Sequence, residues 1–126
     1  MVQVSDKEFD EIIDWAVGRI PALYQKNLKN VAFLTQDDPT QEQRIRLNLY
    51  PNETLFGLYE GTPLPQRGGM TKLLPDKITI FKNPLQNASR DLNDFKENVR
   101  HTVWHEVAHY YGLDHERIHR LDGTAR

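Results

Sequence analysis

Residues 91–115 read DLNDFKENVRHTVWHEVAHYYGLDH, and this stretch decides both the architecture and the chemistry of the chain. At about 100° per residue, Leu92, Phe95, Val99, Val103, Val107 and Tyr110 share one face of a helix over residues 91–111. Asp91 is its N-cap. Trp104, Ala108 and Tyr111 add a second apolar flank in the C-terminal half only. Between the flanks runs a narrow polar strip: Asn98, His101, His105 and His109. A helix that is apolar on both sides of such a strip is buried on both sides, so the strip is expected to face a cleft. Gly112 suits the left-handed turn that ends a helix.

The spacing within this stretch carries the chemistry. His105 and His109 stand four residues apart, which lets two ring nitrogens reach one metal ion. Glu106 is rotated by about 100° from His105. Its carboxylate can therefore serve as general base toward a metal-activated water without being forced to ligate the metal. Gly112 permits an immediate chain reversal, after which His115 can return as a third ligand. Three protein ligands leave a position for water, the ligand count of a catalytic rather than a structural zinc site. The whole pattern, HExxHxxGxxH, is the arrangement of zinc peptidases. Zn2+ is the expected cofactor, and the same donors accept other divalent metals.

The composition narrows the rest. The 126 residues, with 16 Lys+Arg against 18 Asp+Glu and a formal charge of −2, fit one domain over residues 1–126. No cysteine is present, so a metal site must use His, Asp and Glu. All five histidines lie between positions 101 and 119. Near-neutral charge argues against a nucleic-acid partner. No apolar run is long enough for a membrane span. The acidic start, MVQVSDKEFDE, has no basic segment followed by an apolar one, and a cytoplasmic location is the expectation.

Working back toward the N-terminus, residues 5–20 form an amphipathic helix with a Ser5/Glu8 capping box and an apolar stripe of Phe9, Ile12, Ile13, Ala16, Val17 and Ile20. A short second piece over 21–28 follows Pro21. Residues 30–35 have strand length and composition, and 36–43 is a polar loop. Residues 44–50, RIRLNLY, alternate strictly and predict a half-buried strand. Pro51-Asn52 marks a turn, with 54–59 as the returning strand. Residues 61–76, rich in Gly and Pro, predict a long irregular loop. Residues 77–81, flanked by Lys77 and Lys82, predict an edge strand. Such an edge could hold a peptide substrate by strand addition. Residues 115–121 could form one more short helix.

Five segments together resemble a known family: the N-terminal helix ending in Ile20-Pro21, NVAF at Asn30, GLYEGTPL at 57–64, LPDKITIF at 74–81 and VRHTVWHEVAHYYGLDHERIHRLD at 99–122. These are similar to the small, single-domain, zincin-like metallopeptidases of bacteria. The resemblance implies an α+β class and a minimal zincin-like fold, with a small mixed β-sheet packed with an N-terminal helix and a long HExxH helix. It also implies a metal held by His105, His109 and the residue at 115. Many relatives carry an acid at that last position, so the third ligand is His115 or Asp114. Metzincins have a methionine turn beyond their third ligand. Here both methionines lie upstream of His115, so the resemblance is to a minimal zincin without a lower subdomain rather than to a full metzincin.

Other residues have weaker claims. Asp114 and Asp122 could orient ligand imidazoles. Tyr59, Arg67, Tyr110 and Tyr111 could stabilise an oxyanion, with core packing favoured for Tyr110. His101 has a claim to the substrate side, against an ordinary exposed position, and His119 reads as surface. The function that follows is zinc-dependent hydrolysis of peptide bonds in a peptide or protein substrate, with Glu106 as general base. The alternative is a non-catalytic, metal-stabilised binding or interaction module. The first reading is favoured because Glu106 stands where a base is needed and serves no structural site.

Overall fold

Ser5 starts the first helix as expected. Its hydroxyl accepts from the Glu8 N–H at 3.1 Å and the Glu8 carboxylate accepts from the Ser5 N–H at 2.9 Å, which satisfies two otherwise orphaned donors. The structure, a computed structural model, describes residues 2–63, 65, 75–113 and 116. Helix α1 spans Asp6–Gly18, and a short α2, Ala22–Gln25, follows Pro21. After a 3-10 turn at Leu28–Asn30 come strand β1 (Val31–Gln36), helix α3 (Gln41–Arg46) and strands β2 (Gly57–Glu60) and β3 (Asp76–Phe81). Helix α4 (Lys82–Asn87) and the long α5 (Leu92–Tyr111) complete the order. No helix among the described residues is long and apolar enough to cross a membrane.

The class is α+β, and the sheet is mixed. Its three strands run in the order β1-β3-β2. β1 pairs with β3 in parallel, from Val31 opposite Asp76 to Gln36 opposite Phe81. β2 pairs with β3 antiparallel, from Gly57 opposite Ile80 to Glu60 opposite Lys77. The core forms where α1 and α5 meet the sheet. Phe9, Ile13 and Ala16 from α1 are buried with Phe95, Val99, Val103 and Val107 from α5 and Ile78 and Ile80 from β3. The Phe9 and Phe95 rings stand 5.9 Å apart in a tilted arrangement. Side chains of this size each contribute roughly 1.5–3 kcal/mol on full burial, so the α1–α5 seam is a principal source of stability. Leu92, expected on the same face, is instead exposed.

Two strand expectations are corrected. Residues 44–50 form no strand: they carry the end of α3 and the turn after it. The reason is a second capping box in the stretch read as loop. Thr40 Oγ1 accepts from the Gln43 N–H at 3.1 Å and Gln43 Oε1 accepts from the Thr40 N–H at 2.8 Å. This nucleates a helix whose Ile45 remains 67% exposed. The alternation of Ile45, Leu47 and Leu49 therefore has no sheet face to fill. The returning strand expected over 54–59 is β2, paired with β3. The second correction concerns residues 77–81. They belong to the central strand, flanked on both sides, and Ile78, Thr79, Ile80 and Phe81 are all buried. The flanking lysines mark the ends of this strand rather than an open edge. β1 and β2 are the outer strands, so strand addition cannot use residues 77–81.

Most of the 61–76 loop, Arg67 included, lies outside the described residues, as do Asp114, His115, His119 and Asp122 and the short helix expected over 115–121.

Candidate metal centre

The motif helix is fixed at both ends. Asp91 caps its start by accepting from the Asp94 N–H at 2.8 Å. At its end Gly112 takes φ 73° and ψ 27°. The Gly112 N–H donates to the His109 carbonyl and the Leu113 N–H to the Ala108 carbonyl, both at 3.0 Å. This is a Schellman ending, which turns the chain back directly after the motif. Tyr110 and Tyr111 anchor the same turn from the side. Their hydroxyls donate to the carbonyls of Asn27 at 2.9 Å and Tyr24 at 2.6 Å. Both are thus committed to packing the helix end.

The polar strip is where the periodicity places it. Asn98, His101, His105 and His109 are each half-buried, and His105 and His109 stand between buried neighbours. The His105 and His109 rings lie 4.5 Å apart, inclined at 71°. Glu106 is only 7% exposed. His109 Nδ1 donates to Glu106 Oε1 at 3.2 Å. This hydrogen bond, with the carboxylate's charge behind it, raises the His109 pKa above its ordinary value, against an opposing effect of burial. His105, Glu106 and His109 each offer a ligand atom, and these atoms lie within 4.8 Å of one another.

A cleft of about 350 Å³ opens beside this group. One wall is the chain entering β2, with Leu55, Phe56 and Gly57. The other is the His101, Thr102, His105 and Glu106 side of α5. His101 therefore lines the cleft, which sequence reasoning had assigned more readily to an open surface. It does not join the three-residue donor group. Tyr59 is not among the lining residues. Its hydroxyl donates to Asp76 Oδ2 at 2.5 Å and its ring packs on Tyr110, so its place is in the support behind the site.

With the donor cluster and its cleft in place, similarity to known proteins becomes informative. The sequence family described as Zincin-like metallopeptidase matches residues 28–125. The chain belongs to the zincin-like metallopeptidase family. It is also similar to a protein of Aquifex aeolicus (strain VF5) named Endoribonuclease YbeY, 26% identical over 111 residues that cover 86% of this chain and 70% of that protein.

The residues of this zincin-like chain fit a divalent metal. Two imidazoles are nitrogen donors of the kind that zinc accepts, and the Glu106 carboxylate stands beside them. Ligand atoms about 2 Å from one zinc ion stand roughly 3.5 Å apart, so donors within 4.8 Å of one another can close on one ion by side-chain rotation. Family and donor set together fit a metal-dependent hydrolase.

Sequence reasoning missed three residues around the centre. Asp76 is 1% exposed, a buried carboxylate held by Tyr59. Its one sequence signal is an acid opening a strand that is otherwise apolar. Gly57 and Thr102 form the contact between β2 and α5 beside Glu106. Gly57 could have been noticed as a glycine at the start of a short strand, where it weakens pairing unless something must approach closely.

Proposed function

We propose that the chain is a metal-dependent peptidase in which His105 and His109 hold the ion and Glu106 is the general base. The observation that carries this reading is the position of Glu106: a buried carboxylate opening onto a cleft, beside both motif histidines. A bound divalent ion would supply Lewis acidity, which makes water nucleophilic at neutral pH and stabilises charge developing on an attacked carbonyl. The Glu106 carboxylate takes the proton from the attacking water and delivers it to the leaving amine. Its near-burial keeps bulk water from competing for that proton. His115 or Asp114 completes the ligand set in this reading, as the family resemblance implies.

The substrate main chain is held by β2. Among the described residues no strand pairs with its outer edge. Gly57, at its start, lines the cleft. An extended peptide added to that edge would lie across the cleft beside Glu106. This assigns to β2 the docking role first expected of residues 77–81.

The similarity to the Aquifex protein favours a second reading, hydrolysis of an RNA phosphodiester at the same centre. The net charge of −2 speaks for the peptide. The deciding experiment incubates zinc-loaded wild type and Glu106→Gln with a defined mixture of unstructured peptides and, separately, with single-stranded RNA. Peptide cleavage by wild type and none by the variant is expected, with zinc bound by both. RNA cleavage alone would establish the second reading. Equal peptide cleavage by both proteins would remove Glu106 as the base. Tight zinc with no cleavage of either polymer would mark a metal-stabilised binding module.

A further inference from the structure

Gly57 is a glycine for reasons of space. The described glycines with positive φ are Gly61 and Gly112, so the backbone at Gly57 makes no demand that another residue could not meet. A Cβ built there would stand 2.7 Å from Thr102 Cγ2, 3.1 Å from Glu106 Cγ and 3.4 Å from Ile80 Cδ1. The first distance is shorter than carbon atoms tolerate, and the second is tight. Thr102 cannot readily swing its methyl aside. Its Oγ1 donates to the Asn98 carbonyl at 2.8 Å, which fixes the χ1 of a residue already stiff at that bond. Glycine at a strand position carries an entropic penalty and packs nothing. Here it lets the backbone of β2 descend onto α5 at the turn bearing Glu106.

We propose that Gly57 is a positioning residue for Glu106: the missing side chain, with the fixed Thr102 methyl opposite, sets the carboxylate's place relative to the substrate-binding edge of β2. This rests on the hydrolytic reading above for its consequence, but the placement itself is a property of the metal-free protein. A Cβ at position 57 must lift the strand, turn Glu106, or both. Each change moves the base relative to the main chain it serves, while the α5 backbone that carries His105 and His109 keeps its place; a bound ion would then hold the His109 ring in place of its 3.2 Å bond to Glu106.

The test compares wild type, Gly57→Ala, Thr102→Ser and the double variant. Thr102→Ser removes the atom nearest the added Cβ and keeps the hydroxyl bond to Asn98. Two readouts are used: kcat and KM on the peptide mixture with zinc bound, and the 13C shift of the Glu106 side-chain carboxyl in metal-free protein at fixed pH. A displacement near 1 Å can reduce turnover by about a hundredfold. Gly57→Ala is expected to lower kcat on that scale with little change in KM or zinc affinity, and to move the Glu106 carboxyl signal. The double variant should recover both. Unchanged kcat in an active enzyme, or an unmoved carboxyl signal, overturns the proposal. So does a loss of zinc affinity and turnover together that Thr102→Ser fails to restore, since that is the signature of a merely structural glycine. If wild type cleaves no peptide, the peptidase reading fails by itself and the carboxyl signal still decides the placement. If Gly57→Ala does not fold, nuclear Overhauser contacts in wild type from the Gly57 α-protons to the Thr102 methyl and the Glu106 γ-protons decide it, their absence overturning the proposal.

Discussion

Glu106 and His109 are joined across one turn of α5, Oε1 to Nδ1 at 3.2 Å, so the residue read as the base already holds one of the residues read as ligands. The bond orients the imidazole in the absence of an ion and keeps the buried carboxylate from being left without a partner. Zincs and protons compete for the same nitrogen donors. The contact therefore links the ordering of the ligand to the placement of the base.

Removing a ligand should separate binding from folding. In wild type, zinc at a hundredfold excess over its Kd should add about 2.7 kcal/mol to stability. Thermal melts with zinc and with a chelator measure this difference. His105→Ala should melt at the same temperature in both conditions. A retained zinc-dependent shift would show that His105 does not bind the ion.

Tyr59→Phe should destabilise the protein without touching the donor group. It deletes the hydroxyl that donates to Asp76 Oδ2 and keeps the ring against Tyr110. Removing one partner of a buried hydrogen bond costs roughly 1–3 kcal/mol, which urea unfolding would register. Zinc affinity should stay within a few-fold of wild type.

Phe95→Ala should be among the most damaging single changes. Phe95 is fully buried against Phe9 at the α1–α5 seam. Loss of a core phenylalanine costs about 3–5 kcal/mol, a large fraction of what a domain of this size has. Arg46→Ala, by comparison, breaks a more exposed ion pair with Glu60 and should shift the midpoint by less than about 1 kcal/mol.

Acid should weaken the contact that Asp94 makes at the N-terminus of α5. Its carboxylate accepts from the Arg90 N–H at 3.0 Å, with the Arg90 guanidinium nearby, and this holds its pKa below the ordinary 3.8. A depressed carboxylate contributes stability that is fully present above its unfolded value and disappears as pH falls through its folded value. Urea midpoints measured between about pH 5 and pH 2.5 should fall with acid in wild type. In Asp94→Asn that fall should be shallower, and an identical slope would show that the Arg90–Asp94 contact is absent in solution.

Both long helices were legible because their periodicity ran over several turns and their caps were local. Ser5 with Glu8, Asp91 and Gly112 all act as read. Over seven residues, 44–50, periodicity decides less: the alternation of Ile45, Leu47 and Leu49 predicts a strand, and the chain forms the end of α3 and a turn. The same capping signal that located α1 recurs as Thr40 with Gln43, and applying it there would have found α3. The central place of β3 was not legible for a different reason. Its neighbours come from residues 31–36 and 57–60, and no local pattern encodes which strands lie beside it. The site divides in the same way. His105, Glu106 and His109 share one helix, and their spacing alone brings them together. Asp76 with Tyr59, and Gly57 with Thr102, are meetings of distant segments that only the folded sheet creates.

The packing of α1 on α5 joins the earliest helix of the chain to the last one described, with the whole sheet between them in sequence. Contacts of such long separation form slowly, since loop closure precedes any gain from burial. On the ribosome, Phe9, Ile13 and Ala16 lack the α5 half of their core, Phe95, Val99, Val103 and Val107, until the segment bearing the histidines has emerged. The core and the donor cluster are therefore completed by the same helix. A nascent chain that stalls before it exposes a greasy α1 stripe, the kind of surface that chaperones and proteases recognise.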